Sequence, residues 1–169
     1  AVVRAANEPA VLPEESAAEL ANIAARTFAR HGDGATPFLT PEELRFLQIP
    51  RGTLDAAERA AVEAHAEQTY RFLNTIPWTD DLGNLGVFAL SHHEKLDGSG
   101  YPRRLRGAEI LDEAKILAVA DVLEAMSSHR PYRPALGLDA GLAELTSQAG
   151  KRYDEQVVAA LARVVKRGA

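Results

Sequence analysis

Apolar and polar positions along this chain fall into blocks of helical spacing, separated by short breaks rich in glycine and proline. The opening AVVRAANEPAVLP (1–13) has no period and carries Pro9 and Pro13, which predicts an extended lead-in. After Pro13, Leu20, Ile23, Ala24, Thr27 and Phe28 share one helical face, and HGDGATP (31–37) breaks it. Thr40-Pro41-Glu42-Glu43 is a capping box with proline at the first helical position, predicting a short helix through Leu47 that Pro50 and Gly52 end. A long helix is expected from about Asp55 to Thr75, with Val62, His65, Thr69, Phe72, Leu73 and Ile76 on one stripe. His65 lies inside that apolar stripe and not on the charged back.

IPWTDDLGN (76–84) predicts a turn, and Leu85 to about Lys95 a further helix with Leu85, Ala89, His92 and His93 on one face. LDGSGYPRRLRG (96–107) cannot be helix and is too polar for a buried strand. Asp112 is expected to cap DEAKILAVADVLEAMSS, whose inner face would carry Ala114, Leu117, Ala120, Asp121 and Glu124. HRPYRPALG (129–137) reads as a rigid basic loop, followed by helices over roughly Leu138 to Gln148 and Asp154 to Lys166. In the last, Val157, Val158, Leu161, Val164 and Val165 form an apolar face. No run alternates as a strand would. The pattern predicts an all-α bundle of about six to seven helices, forming one domain over 14–169.

Composition narrows the chemistry. The 169 residues, 46% hydrophobic and 25% charged, suit one domain with a real core. No apolar run approaches the ~20 residues needed to span a bilayer, and no secretory signal opens the chain. The absence of cysteine excludes disulfides and thiolate metal sites, leaving His, Asp and Glu as ligands, and it is compatible with a reducing cytoplasm. A formal charge of −5 argues against a nucleic-acid polymer as partner.

Of five histidines, two are adjacent, in SHHEKLDGSGYP (91–102). His65 alone reads either as a core histidine or as a ligand. Asp121 sits inside ILAVADVLEAM, where an unpaired carboxylate would cost several kcal/mol, so it needs a helix partner, a metal or a catalytic task. His92 and His93, about 100° apart on a helix, can serve adjacent positions of one cluster or simply end a helix near its negative pole. Taken together, three inward faces each bring nitrogen or oxygen donors, as bundle-core metal sites do. Three imidazoles and a carboxylate suit iron, manganese, zinc, cobalt or nickel. In the loops, Asp97 and Gly98 shape the first turn, Gly98 and Gly100 are expected to take left-handed conformations, and Pro102 stiffens the exit after Tyr101. Arg103, Arg104 and Arg106 follow, and Arg130 and Arg133 flank Pro131-Tyr132. Such arginine forks suit phosphate and base recognition, or are solvated surface charge.

HHEKLDGSGYPRRLRG followed by AKILAVADVLEAMSSHRPYR closely resembles the HD-GYP domains, a branch of the HD phosphohydrolase superfamily, and the similarity covers roughly residues 50 to 165. HHE, DGxGYP, VAD and RPYR occur in order and at that family's spacing. The resemblance implies a helical domain holding two or three divalent metal ions, iron or manganese first, with phosphodiesterase activity on cyclic di-GMP. It implies His65, His92, His93 and Asp121 as metal ligands, Gly100, Tyr101 and Pro102 as the substrate-side loop, and Arg130 and Arg133 near the substrate. Partner signalling domains and a homodimer are compatible with it.

The chain departs from the family in one respect. Members carry a His-Asp doublet and a following lysine upstream of the position of His65, and no His-Asp dipeptide occurs here. His31-Gly32-Asp33 comes nearest, and Thr36-Pro37 stands where a simple alignment puts the doublet. No catalytic residue is therefore assigned. Either the site is degenerate, which would leave a cyclic di-GMP-binding or interaction module, or the doublet lies upstream of Ala1. The start at alanine suits the second account, which is the expectation here.

Overall fold

Thr40 opens the helix Pro41–Leu47 through a reciprocal cap: its Oγ1 accepts the Glu43 N–H at 3.1 Å, and the Glu43 carboxylate accepts the Thr40 N–H at 2.8 Å. The same device recurs at Asp55 and Glu58, whose carboxylates each accept the other's backbone N–H at 2.8 and 2.9 Å, before Ala56–Glu63. The computed structural model describes residues 2–6, 12–29, 34–50, 52, 54–130 and 134–168. In chain order these carry α1 (Val2–Ala6), α2 (Glu14–Ala24), β1 (Thr27–Ala29), β2 (Ala35–Pro37), α3 (Pro41–Leu47), α4 (Ala56–Glu63), α5 (His65–Leu73), α6 (Leu85–Ser91), α7 (Asp112–Ser127), α8 (Leu138–Ser147) and α9 (Glu155–Gly168). Single 3-10 turns lie at Asp80–Leu82 and Gly107–Glu109. Among the described residues the architecture is all-α apart from one small two-stranded sheet, and no helix is long and apolar enough to cross a membrane.

Several elements differ from the pattern's prediction. The lead-in expected to be extended is helical over Val2–Ala6. Thr27 and Phe28 leave the helix and pair antiparallel with Pro37 and Thr36, because a partner strand competes with helix for these β-branched and aromatic residues. The long helix expected from Asp55 to Thr75 is interrupted at Ala64, and its stripe is imperfect: Val62 is 54% and Phe72 66% exposed. With α1 and this break, the described residues carry nine helical segments where six to seven were expected. α7 begins at Asp112 itself, with Leu111 at the cap position and no side-chain cap. Its buried residues are Ala114, Ala118, Val119 and Leu123, whereas Leu117, Ala120 and Glu124 are exposed. The expected inner face is thus rotated. Val164 likewise falls off the α9 face, at 65% exposure.

The chain divides into two compact units, Ala1–Val62 and Glu63–Ala169. In the first, α2 packs on α1 and α3, and Leu20 is fully buried. In the second, α5 packs on α6, α6 on α7, and α7 on both α8 and α9. Its core joins Val119, Leu123, Leu145, Tyr153 and Val158, with Val157, Leu161 and Val165 packed against them. Each such aliphatic side chain contributes roughly 1.5–3 kcal/mol by leaving water. At the α5–α6 contact a Cβ on Gly86 would lie 2.9 Å from Asn74 Oδ1 and 3.3 Å from the Tyr70 ring, so glycine sets how closely these helices approach. That approach matters, because α5 begins with His65 and α6 ends at the histidine pair.

Candidate metal centre

The helix α6 stops at Ser91, four residues earlier than its periodicity suggests, and His92 and His93 form the turn that leaves it. Both imidazoles are half-buried, as is that of His65. His92 Nδ1–H donates to the Ala89 carbonyl, which fixes the tautomer and leaves Nε2 with its lone pair. His93 Nε2 lies 3.0 Å from His65 Nε2. One donor nitrogen from each of the three rings falls within 4.8 Å of the others. Two nitrogens 3.0 Å apart also match two ligands each ~2.1 Å from one ion at about a right angle.

Burial, with the neighbouring His92, His65 and Lys95 charges adding to it, pushes the His93 imidazole down to about 4. It is therefore neutral at physiological pH, the protonation state in which an imidazole ligates a metal. The donor set fits a divalent transition metal: three imidazoles with no thiolate.

Asp121 does not join the three-histidine group. It is half-buried on α7, and its charge acts on Lys95, Tyr101 and Tyr153. The premise of a deeply buried orphan carboxylate is thereby corrected. Lys95 is coupled electrostatically to both Asp121 and His93: burial lowers the Lys95 pKa, Asp121 opposes that shift, and the ammonium lies 4.5 Å from the Tyr153 ring centroid.

The loop after the histidines folds back on them. Tyr101 N–H donates to the His93 carbonyl at 3.3 Å, and the Tyr101 ring lies 4.7 Å from that of His93, tilted by 33°. Burial, with Glu63 and Asp121 adding, pushes the Tyr101 phenol up to about 12, so it remains a neutral donor. The Tyr101–Pro102 peptide is cis. Gly98 takes the expected left-handed φ of 78°, but Gly100 does not. Glycine at 100 answers a steric demand: a Cβ there would sit 2.4 Å from Glu94 Cα and Lys95 N. Asp97 closes the turn by accepting the Ser99 N–H at 2.9 Å, and the Ser99 side chain first, then this backbone bond, hold its carboxyl below the usual range.

Of the two arginines that the resemblance implies near the substrate, Arg130 is paired with Glu124 at 2.7 Å. Arg133, with Pro131 and Tyr132, lies outside the described residues, as does His31-Gly32-Asp33. Sequence reasoning gave no role to Glu94, Lys95, Arg152 or Tyr153. The Leu96 N–H donates to the Arg152 carbonyl at 3.1 Å, so the turn before α9 braces the histidine loop. The signal available for Glu94 was its place in HHE, directly before a loop rich in backbone donors.

The fold and this cluster define an all-α domain built around an imidazole set suited to a divalent metal. Residues 14–157 match the HD domain family, and the chain belongs to that family, in agreement with the HD-GYP resemblance of its motifs. The family is metal-dependent. The chain is 40% identical over 114 residues to a 3'3'-cGAMP-specific phosphodiesterase of Vibrio cholerae, covering 68% of this chain and 24% of that protein. It is 52% identical over 77 residues to a cyclic di-GMP phosphodiesterase response regulator of Xanthomonas campestris, covering 46% and 20%. It is 38% identical over 116 residues to a cyclic di-GMP phosphodiesterase of Thermotoga maritima, covering 68% and 31%. The chain thus spans less than a third of the length of each of these curated relatives.

Proposed function

We propose that this chain carries the metal-binding core of a phosphodiesterase that hydrolyses a cyclic dinucleotide, cyclic di-GMP or a close relative, to a linear product. The observation that carries the reading is the three-imidazole cluster lying under Tyr101. His65, His92 and His93 would hold the metal, iron or manganese first, and Asp121 is the neighbouring carboxylate able to complete a second position. When bound, a divalent ion supplies Lewis acidity toward the scissile phosphate. The chain's own part is to keep His93 neutral, to lock the His92 tautomer and to place Tyr101 beside the cluster as a protonated donor. Arg130, with Arg133 beyond the described residues, supplies guanidinium forks for phosphate oxygens or guanine edges. A reaction on a nucleotide messenger assigns the chain to the cytoplasm, with further signalling domains as partners.

A second reading, a cyclic dinucleotide-binding module without turnover, is favoured by the absence of any His-Asp dipeptide in the sequence. The two separate in one experiment. The enzyme reading requires the His-Asp doublet expected upstream of Ala1, so the chain, extended by that upstream segment, is loaded with manganese or, anaerobically, ferrous iron and given cyclic di-GMP and 3'3'-cGAMP. Linear dinucleotide among the products supports the enzyme. Calorimetric binding without product supports the module. Neither binding nor product, with metal bound, defeats both.

A further inference from the structure

We infer that Glu94 is a positioning residue of the histidine site, whose buried carboxylate pins the following loop so that Tyr101 lies over His93. The inference rests on the proposed reading of the histidine cluster as the reactive site. Glu94 is 3% exposed, an unusual place for a carboxylate that pairs with no cation among the described residues. Its oxygens are instead taken by two backbone donors: Oε1 accepts the Arg103 N–H at 2.7 Å and Oε2 the Leu105 N–H at 2.9 Å. These are charge-assisted bonds in a water-poor site, where each is stronger than a neutral pair.

The backbone of Glu94 is fixed as well. Its N–H donates to the Ser91 carbonyl at 3.0 Å, tying it to the last turn of α6. Its Cα is one of three backbone atoms that Gly100 packs against, with Lys95 N and the His93 carbonyl oxygen. One residue therefore touches the loop twice, by its Cα before Tyr101 and by its carboxylate after Pro102. Between those two points stand Tyr101, its ring 4.7 Å from that of His93, and the cis peptide to Pro102. Arg104, between the two pinned amides, has φ of 56°, a left-handed conformation that a side chain seldom adopts unless held.

The chemistry singles out a carboxylate. Two converging N–H groups require an acceptor at both positions, and a carboxylate is acceptor-only. Glutamine would turn an NH2 toward one of them, and aspartate is one methylene short.

The test uses the whole chain with isotope-labelled histidine, without metal, at pH 7.5. In the wild type the Tyr101 ring current is expected to displace the His93 ring protons upfield, and Tyr101→Leu is expected to abolish that displacement. Glu94→Gln is expected to move His93 to its Tyr101→Leu position while His65 and His92 keep their shifts and helical circular dichroism is unchanged. An unmoved His93 overturns the inference, and so does displacement of all three histidines, which would make Glu94 a general support of the fold. Should Glu94→Gln fail to fold, amide exchange in the wild type decides. Slow exchange at Arg103 and Leu105 upholds the clamp, and exchange at the unprotected rate overturns it. In the metal-loaded chain Glu94→Gln is expected to weaken cyclic dinucleotide binding about tenfold with metal content retained. A wild type that binds no dinucleotide defeats the proposed function and leaves the resonance result standing.

Discussion

His65 and His93, 28 positions apart in the chain, meet nitrogen to nitrogen at 3.0 Å. Two imidazoles that close either share a proton or converge on an ion. If they converge, removing one ring removes a ligand. His93→Ala is therefore expected to lower manganese or cobalt affinity at least about tenfold, measured by calorimetry and by metal content after gel filtration. Asp121→Asn, outside the three-ring group, is expected to lower it less. Unchanged metal content in His93→Ala would refute the assignment.

A pH dependence follows from His93. Its pKa is about 4 in the folded chain against 6.5 in an unfolded one, so between those values the unfolded chain holds the extra proton. Unfolding then takes up protons, and stability must rise with pH across that window and level off above it. Urea unfolding of the metal-free chain between pH 4 and 7 should show this slope, and His93→Ala should flatten it. A wild-type slope of opposite sign would contradict a neutral, half-buried His93 imidazole.

Gly100→Ala should be costly although its backbone is not left-handed. The added Cβ would meet backbone atoms at 2.4 Å, which cannot swing aside as a side-chain tip can. A loss of about 1–3 kcal/mol is expected in denaturant unfolding. Gly34, where an added Cβ would meet nothing within 4 Å, is the control, and alanine there should change stability by less than about 0.5 kcal/mol.

Arg104→Gly should stabilise the chain. The left-handed φ of 56° costs a side chain of order 1–2 kcal/mol, partly offset by glycine's freedom when unfolded. Glycine is expected to exceed alanine at this position by about 1 kcal/mol in the same assay. Equality of the two would mean that the turn is unstrained.

Much of this molecule is legible in its sequence, and the failures share a cause. Thr40 to Glu43 announce α3 through local hydrogen bonds alone, and the adjacent histidines draw attention to the cluster they form with His65 because such a pair is rare. Where tertiary contacts decide, periodicity misleads. Thr27 and Phe28 fit a helical face until a partner strand is present. α7 is apolar on nearly every side, so its spacing could not say that Ala118 and Val119 are buried while Leu117 and Ala120 are exposed. Nothing in AHAEQ marks a break at Ala64, since neither glycine nor proline stands there. α6 ends at Ser91 because the residues beyond it are claimed by a returning loop, a competitor invisible to a window of neighbouring positions.

The return of that loop onto its own starting point makes Tyr101 and His93 parts of one stiff piece. Whatever presses on the tyrosine is felt at a ring expected to ligate metal. If the proposed dinucleotide binds there, a cobalt-loaded chain should change colour on its addition, reporting occupancy without label or turnover.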